Sequence, residues 1–94
     1  MRNIDVIFNK QAKKDIKKVP FYVATKLYQW VEQVLTDGLS EVRKISGYHD
    51  ELLVGKRNGQ RSIRLSRGYR AIYIESKNGN MEIIEIIEVN KHDY

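Results

Sequence analysis

From Gln60 to Asn90 the chain is β-forming sequence broken only twice, at Arg67-Gly68 and at Asn78-Gly79. Branched and aromatic residues alternate with polar ones on both sides of each break. Short glycine-containing breaks of this kind join antiparallel neighbours. The stretch therefore predicts three consecutive strands, roughly 60–66, 69–77 and 80–90. Such a meander has one apolar face that must be covered, so the rest of the chain has to supply the cover.

The N-terminal part supplies it. Ile4-Asp5-Val6-Ile7-Phe8 reads as a short first strand. Asn9 is placed to cap a helix running to about Val19, with Ala12, Ile16 and Val19 on one stripe. Its lysines, Lys10, Lys13, Lys14, Lys17 and Lys18, fall elsewhere and read as a solvated face. Pro20 is the only proline; it ends that helix and opens the next. The second helix is expected to reach about Asp37, with Val23, Leu27, Trp30, Val31, Val34 and Leu35 on a wide apolar face and Gly38 as its stop. From Glu41 to Gly59 the pattern breaks into loops around Tyr48-His49-Asp50. The predicted order is β-α-α-β-β-β: an α+β fold with two N-terminal helices on one face of a small, mostly antiparallel sheet, in one domain spanning 1–94.

Hairpin register decides what the sheet can bind. A tight Arg67-Gly68 turn would set Leu65 against Arg70. A three-residue Ser66-Arg67-Gly68 loop with Gly68 left-handed would set Arg64 against Arg70. The second arrangement is preferred, because it collects Ile63, Leu65, Tyr69, Ala71, Tyr73, Ile84 and Ile86 on one face. The other face then carries Ser62, Arg64, Arg70 and Glu85. Two arginines directly across from each other repel unless an anion lies between them. Either a bound phosphate or Glu85 would relieve that repulsion.

Charge points the same way. Between Leu52 and Ile74 there is no Asp or Glu but there are six cations: Lys56, Arg57, Arg61, Arg64, Arg67 and Arg70. The formal net charge is +5, which suits an acidic partner. Cysteine is absent, so disulfide and thiol chemistry are excluded. No apolar run approaches the roughly 18 residues of a membrane span, and the first ten residues do not read as a signal peptide, so a soluble cytoplasmic protein is expected.

His49 and His92 are the only histidines, and histidine is the side chain suited to proton transfer near neutral pH. They stand 43 residues apart without carboxylates at ligand spacing, so no metal site is read here. Tyr94 could stack on an unpaired base, and Asp93 could orient His92 or simply solubilise the tail. Tyr69 and Tyr73 read as core.

The segment Gln60 to Tyr73, with its basic strand, turn and Tyr69-Arg70 step, resembles the central hairpin of the RelE/ParE superfamily of type II toxin–antitoxin toxins. Tyr48-His49 before a basic glycine loop, and the closing His92-Asp93-Tyr94, resemble the HigB branch more closely. The resemblance implies a toxin that enters the ribosomal A site and cleaves messenger RNA without metal or other cofactor, by attack of the ribose 2′-hydroxyl on the adjacent phosphate. Carried over residue by residue, it implies that Arg64 and Arg70 bind the scissile phosphate. It also implies that His49, His92, Asp93 and Tyr94 complete the catalytic set. Lys56, Arg57, Arg61 and Arg67 would contact the RNA backbone. HigB-like toxins place a lysine just before the loop glycine; here Val54 precedes Gly55, and Lys56 or Arg57 would have to substitute. The implied partners are a cognate antitoxin, through which the complex would bind operator DNA, and the ribosome with its message. The rival readings are a ParE-like gyrase inhibitor and a nucleic-acid-binding protein without catalysis.

Overall fold

In the computed structural model, residues 3–91 are described; His92, Asp93 and Tyr94 lie outside the described residues. Strand β1 (Ile4–Phe8) leads into helix α1 (Lys10–Ile16), and α2 (Phe21–Asp37) runs back over the sheet. A single helical turn, α3 (Leu39–Val42), and a 3₁₀ turn at Ser46–Tyr48 follow. Then come the two-residue β2 (Glu51–Leu52), a second 3₁₀ turn at Gly55–Arg57, and the long strands β3 (Arg61–Ser66), β4 (Tyr69–Asn78) and β5 (Met81–Lys91). The sheet order is β1-β5-β4-β3-β2, with β1 parallel to β5 and every other pair antiparallel.

The expected α+β layering is present. Val23, Leu27, Trp30 and Val34 recur at helical spacing on α2 and are fully buried. They meet Ile63, Leu65, Ala71, Tyr73, Ile84, Ile86 and Val89 from the sheet. The Trp30 and Tyr73 rings pack 5.1 Å apart at the centre of this layer. Leu35 sits on the rim rather than in the core, 38% exposed. Gly38 ends α2 at φ 89° and ψ 152°, a conformation that essentially only glycine adopts.

Helix α1 is shorter than its apolar stripe suggests. The amides of Lys17 and Lys18 bond three residues back, to Lys14 and Asp15, and tighten the chain ahead of Pro20. The Asn9 side chain accepts from the Ala12 amide at 2.8 Å, as expected of a cap. The Asp15 carboxylate does something the sequence did not announce. Once β1 has ended at Phe8, it accepts from the Val89 amide of β5 at 3.0 Å and so covers an otherwise bare strand edge.

Both hairpins depart in detail from expectation. Arg64 does face Arg70, but Ser66 pairs with Tyr69. The turn is therefore the two residues Arg67-Gly68. The register is set by a bulge between Arg64 and Ser66, not by a left-handed Gly68, which is outside the positive-φ set. In the second hairpin Asn78 pairs with Met81, so the turn residues are Gly79 and Asn80, with Gly79 at φ 63°. Relative to an Asn78-Gly79 turn, this slides β5 by two residues. A two-residue slide preserves every face but changes every neighbour. Glu85 ends up across from Ile74, not beside Arg70, and cannot serve as its counter-ion. A second bulge, between Ile72 and Tyr73, leaves Ile87 without an opposite residue. It switches the phase of β5, so that Glu88 and Asn90 emerge on the face turned away from the helices.

Candidate nucleic-acid interface

The face of the sheet turned away from the helices carries two ladders of side chains. The first runs Arg64–Arg70–Asn90 across β3, β4 and β5, and the second runs Ser62–Ile72–Glu88. Strand alternation alone puts Arg64 and Arg70 here, because Ile63, Leu65 and Ala71 are drawn to the core. Arg64 is exposed and Arg70 half-buried. The Nε of Arg70 is buried without a hydrogen-bond partner among the described residues. Its strand neighbours are a second guanidinium and a neutral amide. A buried donor left unbonded costs about 1–3 kcal/mol, and opposed like charges add to that. The pair is thus arranged to gain from an anion with several acceptor oxygens.

Two of the other four cations are differently placed than their charge suggests. Arg57 reaches Glu88 at 2.7 Å and Gln60 at 2.8 Å, which ties the loop before β3 to β5. Glu88 also accepts from the Asn90 amide. Arg61 is on the helix-covered side, where its Nε donates to Asp50 at 2.6 Å. That arginine is a structural ion-pair partner, so we do not assign it an RNA contact. Arg67 is exposed in the hairpin turn, and Lys56 is exposed in the 3₁₀ turn. These two, with Arg64, keep the exposed, outward placement that a backbone contact needs.

Sequence reasoning overlooked Asp50. Its side chain is 0% exposed. It accepts from Arg61 and from the Tyr73 hydroxyl, with Arg43 Nε a further 3.9 Å away. Arg43 in turn donates to Tyr73 at 3.3 Å and to Glu75 at 2.8 Å. Two cations and two carboxylates thus balance around one phenol. Burial first, and the bond to Asp50 second, push the Tyr73 hydroxyl well above the usual tyrosine range. An exposed tyrosine ionises near pH 10, and so does Tyr73 in the unfolded chain. Its stabilising contribution is therefore complete below about pH 10 and is lost as pH rises through the higher folded value. The check is an alkaline titration followed by tyrosinate absorbance. Tyr73 should ionise only together with the loss of far-ultraviolet circular dichroism. A single transition of all tyrosines in a still-folded protein would contradict this account.

His49 sits between the 3₁₀ turn and β2 with φ 46° and ψ 51°. Among the described residues it is the only one other than glycine with positive φ, a conformation that costs on the order of 1 kcal/mol for an L residue. Its side chain is largely exposed and lies 3.6 Å from the Glu51 carboxylate. Glu51, the first residue of β2, pairs with Ser62 of β3. The structure thus sets Arg64 against Arg70, and it leaves His49 exposed beside Glu51, the residue that opens β2.

A helical pair on one side of a five-stranded sheet, with a cationic opposite face, defines a RelE-like class of small α+β protein. The family model described as "ParE toxin of type II toxin-antitoxin system, parDE" matches residues 6–93, and the chain belongs to that family. It is therefore a toxin of the RelE/ParE superfamily. Solved structures share the fold. The YoeB/ParE toxin from Agrobacterium tumefaciens aligns with a TM-score of 0.71 at 17% identity, over 99% of this chain and 100% of that one. YafQ from E. coli aligns at 0.73 and 17%, over 97% and 93%. The YoeB–YefM complex from Staphylococcus aureus aligns at 0.66 and 20%, over 97% and 98%. No curated protein matches the chain. The nearer likeness to HigB is not carried by the family match.

Proposed function

We propose that this toxin inhibits translation by cleaving messenger RNA on the ribosome. The observation that carries the reading is the Arg64–Arg70 pair, opposed across the sheet face turned away from the helices, with a buried Nε that has no hydrogen-bond partner among the described residues. In the reaction the 2′-oxygen loses its proton and bonds to the adjacent phosphorus. The bond to the 5′-oxygen breaks, and that oxygen takes a proton. The products are a 2′,3′-cyclic phosphate and a 5′-hydroxyl end. Negative charge grows on the non-bridging oxygens, and preorganised guanidinium donors stabilise it. His49 is the proton-transfer group, and His92, Asp93 and Tyr94 are proposed to complete the set. Arg67 and Lys56 contact the RNA backbone without selecting sequence. Holding the message in line for attack falls to the ribosome. The net charge of +5 suits an acidic antitoxin as the neutralising partner, and such a complex would reach operator DNA through that antitoxin.

A second reading has its own support. The matching family is named for ParE, and a ParE-like gyrase inhibitor would need no proton-transfer group. Primer extension on message in a translating extract, run beside a gyrase supercoiling assay, separates the two. We expect new 5′ ends that depend on ribosomes and unaltered supercoiling. Blocked supercoiling with intact message would overturn the proposal in favour of the second reading.

A further inference from the structure

We infer that Asp50 is a positioning residue for His49: its buried anchorage, opposed by that of Tyr48, holds the histidine in its left-handed conformation with the imidazole turned out beside Glu51. This inference rests on the cleavage reading above. The backbone at His49 is the one place among the described residues where a side-chain-bearing residue occupies this region. Such a residue persists only where its surroundings over-determine it. Here they do so from both sides. Tyr48 is 3% exposed, its hydroxyl donates to Gln33, and the Lys26 ammonium lies 4.9 Å over its ring. Asp50 is locked by Arg61 and Tyr73. Both anchors point inward, and the residue between them is expelled.

A plain structural account is also available. The His49 amide bonds to the Ser46 carbonyl at 3.0 Å and caps the 3₁₀ turn, a place usually taken by glycine or asparagine. On that account glycine would be the better residue in every respect. If the histidine is there for its imidazole, glycine should be better for the fold and worse for the reaction. Stability and activity should then move in opposite directions at one position.

The experiment is a double-mutant cycle read in the ribosome-dependent cleavage assay, with thermal melts alongside. His49→Gly should melt higher than the wild type and cleave about 100-fold or more slowly. Asp50→Asn, assayed at a temperature where it is folded, should slow cleavage at least tenfold. Glu75→Gln disturbs the same Arg43 cluster without adjoining His49 and controls for general loosening; it should cleave within threefold of the wild type. The decisive measurement is the double variant His49→Gly/Asp50→Asn. If Asp50 acts through His49, it is no slower than His49→Gly alone. Additive losses, or wild-type cleavage by His49→Gly, would overturn the inference while the function reading stands. A wild-type protein that leaves ribosome-bound message intact overturns that reading, and this inference falls with it.

Discussion

Arg70→Ala is expected to lose about 10²–10³-fold in cleavage rate, the usual loss when one preorganised transition-state donor is removed, and to remain folded. The two halves of that expectation come from the same geometry. Arg70 faces Arg64 on one side and Asn90 on the other, so no carboxylate among the described residues loses a partner when it is truncated. Among the described residues its Nε has no hydrogen bond to lose, and Arg64 is relieved of a like charge. The melting temperature should therefore stay within a few degrees of the wild type or rise. Primer extension and a thermal melt on the same preparation test both halves. Wild-type cleavage would remove Arg70 from the site; a collapsed melt would mean that the guanidinium holds the sheet together. Arg70→Lys keeps the charge but not the planar fork, and should recover only part of the loss.

Asp50→Ala is the converse case, with its damage in the fold. It leaves the Arg61 guanidinium and the Tyr73 hydroxyl without their acceptor beneath the helices. Removing one partner of a buried, hydrogen-bonded ion pair typically costs about 3–5 kcal/mol. Proteins of this size are stable by only about 5–15 kcal/mol in total. For a domain near 100 residues, each kcal/mol shifts the melting temperature by roughly 4–8 °C, so a drop of well over 10 °C is expected. Urea denaturation gives the free energy directly. A cost below about 1 kcal/mol, the range of exposed pairs, would mean that water satisfies the cluster.

What could be read in advance follows from where each signal lies along the chain. The Arg64–Arg70 opposition was legible because strand alternation sends Ile63, Leu65 and Ala71 to the core, although a bulge before a two-residue turn sets it and not the expected three-residue loop. The position of Glu85 was not, because the Asn78-Gly79-Asn80 run offers two turn placements that leave the faces identical. The bulge at Ile87 was hidden by composition: isoleucine, glutamate and valine in the run from Ile83 to Val89 fit either phase of the pleat. The partners of Arg57 and Arg61 were invisible for another reason. Glu88 and Asp50 come from other segments, and only folding brings them near. Arg61 did carry a clue, since it shares the parity of Ile63 and Leu65 and so had to point under the helices. Asp50 carried none, because a carboxylate in a glycine-rich loop reads as solvated until the loop is seen to turn inward.

The parallel pairing of β1 with β5 also bears on when the molecule can exist during synthesis. Ile4 pairs with Glu82 and Phe8 with Ile86, so the earliest-made strand waits for the latest. Contacts that span so much of the chain require a long loop to close before they stabilise anything, and they form slowly. The hairpin of β3 and β4 can assemble locally, and with it the two arginines. Until β5 is inserted between β4 and β1, however, Asn90 and Glu88 are missing from the cationic face and Asp15 has no amide to cap. A nascent chain still short of this strand therefore carries the charges of the site without the frame that holds them, and does not acquire the finished face while that strand remains in the ribosome that makes it.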